Sequence, residues 1–180
     1  MSNAVGSLEK TLDEVFNKNA PDLPTGLKKF IVEYLPYINL VLGVLSLVAA
    51  WSLWNAAHTV NSLVDYANTL SATYGGEKIT TNRMTLTIWL ALGVLVVEAI
   101  LYIAAFSGTK GRQKSGWNLL YYALLINVVY GVIVVFTDYG GFGSLIGSLV
   151  GSAIGAYFLF QIRSSYTAAG RKTAKAAPKK

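Results

Sequence analysis

Residues 143–157 read Gly-Ser-Leu-Ile-Gly-Ser-Leu-Val-Gly-Ser-Ala-Ile-Gly-Ala-Tyr, with glycine at every fourth position. On an α-helix a four-residue step turns through about 400°, so Gly143, Gly147, Gly151 and Gly155 form a column that drifts only ~40° per glycine. In water each interior glycine costs a helix about 0.8 to 1 kcal/mol relative to alanine. In a lipid bilayer the same small-residue face lets two helices approach closely. The repeat therefore predicts a membrane helix of the glycine-zipper type.

The composition supports a membrane protein. Of the 180 residues, 53% are hydrophobic and only 13% are charged, which is too apolar for an ordinary soluble domain. The chain has no cysteine and one histidine, which excludes disulfides, thiolate metal sites and a multi-histidine metal centre. We therefore expect a protein that is not an enzyme and that carries neither a metal nor a cofactor.

The hydrophobic pattern predicts an all-α fold, a four-helix transmembrane bundle in which the glycine zipper is the fourth helix. Residues 1–36 are predicted to form cytoplasmic, interfacial amphipathic helices, and Pro36 is expected to kink the chain as it enters the bilayer. Residues 37–163 are predicted to be the transmembrane domain, with spans at 37–58, 84–106, 117–137 and 142–163. Residues 164–180 are predicted to be a disordered basic tail.

The first amphipathic helix is predicted over residues 7–18, where apolar residues fall on one face and charged residues on the other. One interpretation is a segment that lies on the membrane or on a partner. The other is a surface helix with no particular role. The helical period also continues past His58 through residues 60–70, which predicts that the first span extends beyond the membrane.

The positive charges predict the orientation in the membrane. With both termini in the cytoplasm, only Lys78 and Arg83 of the fifteen lysines and arginines lie outside, and the other thirteen lie inside. This asymmetry follows the positive-inside rule and agrees with an even number of spans. We expect a multi-pass cell-membrane protein. Its basic tail is expected to contact anionic lipids, and nucleic-acid binding is not expected.

Glu98 is the acidic residue that lies deepest within a predicted span, and Asn127 lies at a matching depth in the next span. In an antiparallel hairpin these residues can face one another, with Tyr102 and Tyr130 one helical turn away. An ionisable group at such depth is a functional-site hypothesis, because burying it in hydrocarbon costs free energy. The alternative is that Glu98 serves as a hydrogen-bonded contact between helices.

Two further polar positions and the glycine column complete the candidate sites. Asn39 begins a stripe of small, weakly polar residues on the first span. His58 lies at the outer interface, where it is either a proton acceptor or an interfacial anchor. The glycine column is predicted to pack on another helix, either within the same bundle or across a contact with a second copy.

Three stretches resemble a family of short bacterial four-helix membrane proteins with no assigned activity. They are Lys-Ser-Gly-Trp-Asn-Leu-Leu-Tyr-Tyr-Ala at 114–123, Gly-Ser-Leu-Ile-Gly-Ser-Leu-Val-Gly at 143–151 and Phe-Leu-Phe-Gln-Ile-Arg at 158–163. The resemblance covers most of residues 8–166, and it implies a fold and a location without a mechanism.

Two functional hypotheses follow from the sequence. The first is a non-enzymatic scaffold or modulator that works through helix packing, with a homo-oligomer or another membrane protein as its partner. The second is a small transporter or channel that uses Glu98 as a proton or cation site. A transporter needs a water-accessible path to Glu98 or to the stripe that contains Asn39, whereas a scaffold is closed around them.

Overall fold

The computed structural model describes residues 2–74, 77, 86–137 and 142–167. Within these ranges the chain is helical and contains no strand, so the all-α prediction is confirmed. The helices are α1 (Ser2–Asp13), α2 (Thr25–Tyr74), α3 (Leu86–Lys110), α4 (Lys114–Val135) and α5 (Phe142–Gln161). The predicted outer turn at 138–141 and the predicted basic tail beyond residue 167 lie outside the described residues.

The N-terminal segment begins earlier than its predicted bounds of 7–18. Helix α1 starts at Ser2, and a π-helical turn continues it through Glu14–Lys18. This turn ends with a hydrogen bond from the Asn19 N–H to the Glu14 carbonyl at 3.0 Å. The residues that follow, up to Pro24, carry two prolines and link this segment to α2.

Helix α2 runs without interruption for 50 residues and includes Pro36. The sequence predicted a short interfacial helix that ends near this proline, but the helix does not end there. Proline removes one backbone donor, and neighbouring contacts in a long helix compensate for that loss. Pro36 is itself buried. The helix also continues past His58 to Tyr74, as the hydrophobic period indicated.

Three of the described helices are long and apolar enough to cross a membrane: α2, α3 and α4. Residues Leu145–Gln161 of α5 form a shorter apolar helix. Consecutive helices pack on one another in the order α2, α3, α4, α5, while α2 and α5 do not pack along their lengths. The four helices therefore form a row that leaves a gap between its two outer members.

The turn between α3 and α4 defines what we call the hairpin end of the bundle. Only Gly111, Arg112 and Gln113 connect these helices, and Arg112 takes a left-handed backbone conformation with φ of 49°. The two helices touch through their backbones, since a Cβ on Gly116 would lie 2.4 Å from the Gly108 carbonyl carbon. Glycine at both positions is what permits this approach.

The main core lies at the hairpin end. Its buried residues come from α2, α3, α4, α5 and the turn after α5, and the largest fully buried side chains are Trp117, Tyr121, Phe160, Ile162 and Tyr166. The rings of Trp117 and Tyr121 stack with centroids 5.5 Å apart, and both meet Phe160 edge-on. This cluster joins all four helices at the hairpin end.

Candidate functional site

The gap between α2 and α5 forms an open groove of about 790 Å³, which we call the α2–α5 groove. Its walls are mostly apolar, with Leu35, Ile38 and Leu42 on α2 facing Gly147, Gly151 and Phe158 on α5. Helices α3 and α4 form the floor through Tyr102, Leu120, Leu124 and Asn127. The volume lies within the ~300 to 1,000 Å³ range of ordinary binding pockets.

The glycine column forms part of the wall of this groove. A Cβ added at Gly143, Gly147 or Gly151 would have no other residue's atoms within 4 Å, and one at Gly155 would meet only Leu124 Cδ1 at 3.5 Å. Among the described residues, the column is therefore not packed on a neighbouring helix over most of its length. Its packing against a second molecule stays a prediction.

Other small residues make the close helix contacts within the chain. A Cβ on Gly43 of α2 would meet Ile103 Cγ1 of α3 at 2.7 Å. Gly131 of α4 packs on Ser148 of α5, whose Cβ would lie 2.9 Å from an added Cβ. Ser148 thus packs against α4, while Gly147 and Gly151 beside it line the groove.

Polar groups from each of the four helices line the groove: Asn39 from α2, Tyr102 from α3, Asn127 from α4, and Ser148 and Ser152 from α5. Asn39 is only 1% exposed. Its Nδ2 donates to Thr109 Oγ1 at 3.2 Å, and the Thr109 hydroxyl donates to the Ala105 carbonyl at 2.7 Å. Its Oδ1 has no hydrogen-bond partner among the described residues.

Glu98 lies behind the groove and is 7% exposed. Asn127 of α4 lies within electrostatic reach of Glu98, at the depth that the sequence indicated, and its Nδ2 donates to the Ala123 carbonyl at 3.4 Å. One carboxyl oxygen of Glu98, Oε1, is buried without a partner among the described residues. Tyr102 and Tyr130 are half-buried and lie within electrostatic reach of Glu98. The structure therefore brings these four predicted residues together.

His58 lies apart from this group, near the end of the bundle opposite the hairpin end. Its ring packs edge-on against Trp54 at 4.5 Å, and Trp54 in turn meets Trp89 of α3 at 6.0 Å. Tryptophans at such a position are typical of a membrane interface. The described residues contain no group of three histidine, cysteine, aspartate or glutamate side chains that could hold a metal ion.

A second polar cluster lies at the hairpin end, and the sequence did not indicate it. Arg163, just after α5, donates from Nη2 to Glu9 Oε1 at 2.6 Å and from Nη1 to Asp13 Oδ2 at 3.3 Å. Lys114 Nζ lies 3.3 Å from the same Glu9 oxygen. The Arg163 guanidinium also lies over the Trp117 ring, 5.7 Å from its centroid. We call Glu9, Asp13, Lys114 and Arg163 the hairpin-end cluster.

The charge balance in this cluster keeps Glu9 ionised. Partial burial by itself raises the pKa of Glu9, but the hydrogen bonds and positive charges of Arg163 and Lys114 outweigh it, so the pKa lies below its usual value. The spacing of Glu9 and Asp13 on one face of α1 was the available signal. Their partner at position 163 is far away in sequence, which is why the sequence pattern did not identify it.

Gln161 binds the N-terminal segment and the connection before α2 at the hairpin end. Its Nε2 donates to the Phe16 carbonyl at 2.9 Å, and its Oε1 accepts from the Leu23 N–H at 3.2 Å. The Tyr157 hydroxyl donates to the Pro21 carbonyl at 2.7 Å. The N-terminal segment is therefore bound to α5 through both ion pairs and backbone contacts. Neither of its two interpretations, a segment on the membrane or a partner and a surface helix without a role, included this packing on the rest of the chain.

Comparison with known protein families, characterised proteins and solved structures finds no match for this chain. The class that the fold itself supports is an all-helical protein with three helices able to cross a membrane. Its function therefore has to be argued from the groove and the polar groups around it.

Proposed function

We propose that the chain is a multi-pass cell-membrane protein in which α2, α3, α4 and α5 all cross the bilayer and both termini are cytoplasmic. Lys28, Lys110, Arg112, Lys114 and Arg163 all belong to segments at the hairpin end. A concentration of lysine and arginine is typical of the cytoplasmic side. Trp54 and Trp89, near the other end, then lie at the outer interface.

Within that arrangement the protein acts as a non-enzymatic scaffold or modulator. It accepts a transmembrane helix of another membrane protein in the α2–α5 groove. The observation that carries this proposal is that the glycine column lines the groove and has no helix packed on it over Gly143, Gly147 and Gly151. In lipid, close packing on small residues is a main source of helix association.

The groove fits a helix better than it fits a water-filled path. Its polar groups are few, and the deepest of them are shut away, since Asn39 is 1% exposed and Glu98 is 7% exposed. The open wall is instead made of glycine and aliphatic side chains, which offer dispersion contacts to a second helix. The low exposure of Glu98 and Asn39 supports the scaffold.

The test compares two glycine substitutions with the same chemistry. Gly151→Leu fills the groove, whereas Gly93→Leu adds the same side chain to a helical glycine of α3 that also has open space around it. Partner proteins that co-purify with the chain are identified by mass spectrometry. We expect Gly151→Leu to lose them and Gly93→Leu to keep them. Equal recovery with both variants would contradict docking in the groove.

One observation favours a second candidate, a small transporter or channel. Glu98 has a carboxyl oxygen without a partner among the described residues, and Asn127, which lies within electrostatic reach of Glu98, lines the groove. A proton or cation that entered along the groove would thus reach the Glu98 carboxyl group after passing the side-chain amide of Asn127. This candidate predicts a flux that depends on Glu98, and the scaffold does not.

A further inference from the structure

Helix α2 is much longer than a membrane requires. At ~1.5 Å per residue its 50 residues extend about 75 Å, more than twice the ~30 Å thickness of a hydrocarbon core. Trp54 meets Trp89 near the start of α3, and α2 continues for 20 residues beyond Trp54, to Tyr74. Residues 59–74 are rich in threonine, asparagine and serine, so this part of α2 belongs in water.

This projecting part nevertheless exposes a line of apolar side chains. Val60, Leu63, Leu70 and Tyr74 are 50%, 63%, 42% and 83% exposed. Together with Ala67 they follow one another at steps of three, four, three and four residues. That alternation is the heptad repeat of helices that pair side by side. We call these five residues the α2 seam.

We propose that the α2 seam pairs with the α2 seam of a second copy, as a parallel two-stranded coiled coil outside the membrane. Both copies insert in the bilayer in the same direction, so their projecting helices run parallel and the two identical seams meet in register. The contact is isologous and closes as a dimer.

The seam residues favour two strands over three or four. If Val60 is assigned to position a, Leu63 and Leu70 fall at position d. A β-branched residue at a with leucine at d is the combination that favours dimers in parallel coiled coils. Ala67 and Tyr74 occupy the other a positions.

The charges favour a second copy over a different partner. Asp65 is the one charged residue in the stretch 59–74, and at ~100° per residue it lies on the side of the helix opposite the seam. Partner choice in coiled coils is usually set by charges that flank the seam. The flanking positions here are Thr59, Val64, Tyr66, Ser71 and Thr73, so self-pairing meets no like-charge repulsion.

The membrane supplies the stability that so short a seam lacks. From Val60 to Tyr74 the seam covers two heptads, about 21 Å, and isolated helices of this length are marginal in water. Tethering both helices in one bilayer makes their pairing a local event at high effective concentration. The pairing rests on the membrane orientation proposed above, but it uses a different surface from the α2–α5 groove and does not depend on docking there.

The absence of cysteine from the chain allows a direct test. Single cysteines replace Leu63, Leu70 or Ala72, and membranes are treated with a mild oxidant. Ala72 is exposed at nearly the same height as Leu70 but on the opposite side of the helix, so it serves as the matched control. We expect Leu63→Cys and Leu70→Cys to form covalent dimers at least several-fold more efficiently than Ala72→Cys.

A second measurement does not depend on crosslinking. Labelled protein is reconstituted in liposomes at a low protein-to-lipid ratio, so that the bilayer tether is kept, and single-molecule photobleaching counts the 19.4 kDa chains in each complex. We expect a dimer, which the double substitution Leu63→Lys/Leu70→Lys converts to monomer and Ala72→Lys leaves intact. Equal crosslinking at all three cysteines, or a monomer for the unmodified protein, would overturn the proposal. Gly151→Leu is expected to leave this dimer unchanged, which separates it from docking in the groove.

Discussion

Arg163 Nη2 and Glu9 Oε1 lie 2.6 Å apart, although the two residues are separated by 154 positions in the sequence. The pair joins the N-terminal helix to the end of the last long helix, and Asp13 and Lys114 surround it. Because Arg163 also lies over Trp117, the same contact connects the N-terminal segment to the core at the hairpin end. The N-terminal segment is thus a structural part of the bundle.

Glu9→Gln is expected to weaken the packing of the N-terminal segment on the rest of the bundle. It removes the charge that pairs with Arg163 and Lys114, which we expect to cost about 1 to 2 kcal/mol of unfolding free energy. Glu14→Gln is the control, because Glu14 makes an exposed pair with Lys18 on the same segment. Limited proteolysis should cut residues 14–24 faster in Glu9→Gln than in Glu14→Gln. Equal cutting rates in the two variants would mean that the ion pair between Glu9 and Arg163 does not hold the N-terminal segment in place.

The same pair predicts a dependence of stability on pH. Since the pKa of Glu9 in the folded protein lies below its usual value of 4.5, its ion pairs contribute fully above that value. The contribution is lost as the pH falls below 4.5 and through the lowered pKa. Thermal unfolding between pH 3 and pH 7 should therefore show a steeper acid loss in the unmodified protein than in Glu9→Gln. An equal acid loss in the two proteins would show that the ion pairs of Glu9 do not contribute to stability.

Gly116→Ala is expected to disrupt the α3–α4 hairpin. The added Cβ would lie 2.4 Å from backbone atoms of Gly108 and Thr109, so the helices have to move apart, at a cost of about 1 to 3 kcal/mol. Gly93→Ala adds the same atom in open space, and it is expected to be neutral or stabilising by up to about 1 kcal/mol. Thermal unfolding in detergent compares the two. A tolerated Gly116→Ala would mean that the backbones are not in contact.

Substitutions of Glu98 separate the two candidate functions. If Glu98 joins α3 to α4 by hydrogen bonding, Glu98→Gln keeps a donor and an acceptor in the same volume and leaves stability nearly unchanged, whereas Glu98→Leu loses about 0.6 to 2 kcal/mol. If Glu98 is a transport site, Glu98→Gln abolishes a proton or cation flux in liposomes without unfolding the protein. We expect no flux from the unmodified protein, and a flux that disappears in Glu98→Gln would replace the scaffold with the transporter.

The orientation in the membrane is testable with single cysteines at Ser71, on the projecting part of α2, and at Ser115, at the hairpin end. An impermeant thiol reagent is applied to intact cells and then to broken cells. We expect Ser71→Cys to react in intact cells and Ser115→Cys to react only after the cells are broken. The reverse pattern would place the hairpin end and the N-terminal segment outside.

The sequence predicted the elements that depend on local periodicity. The all-α class and the continuation of the first span beyond His58 followed from the spacing of apolar residues. The bounds of α3 and α4 came within a few residues of the predicted spans. Pro36 was the exception, because a separate interfacial helix was predicted before it, whereas α2 continues through the proline and tolerates the missing donor.

The sequence could not predict which small residues make contacts within the chain. Ser148 and Ser152 recur with the same four-residue period as the glycines, and only the position of α4 decides that Ser148 packs on Gly131 while Gly151 lines the groove. The hydrogen bond between Asn39 and Thr109 and the ion pair between Glu9 and Arg163 are also long-range contacts. Such pairs depend on how the helices assemble, which the spacing of residue types along the sequence does not determine.

Photocrosslinking from inside the groove tests the central claim most directly. A photoreactive residue at position 42 lies in the wall of the α2–α5 groove, and the same residue at position 41 lies on an exposed part of α2 that does not line the groove. We expect irradiation of membranes to crosslink position 42 to another polypeptide and position 41 to lipid, with Gly151→Leu abolishing the protein crosslink. Lipid adducts at both positions would contradict the docking of a helix in the groove.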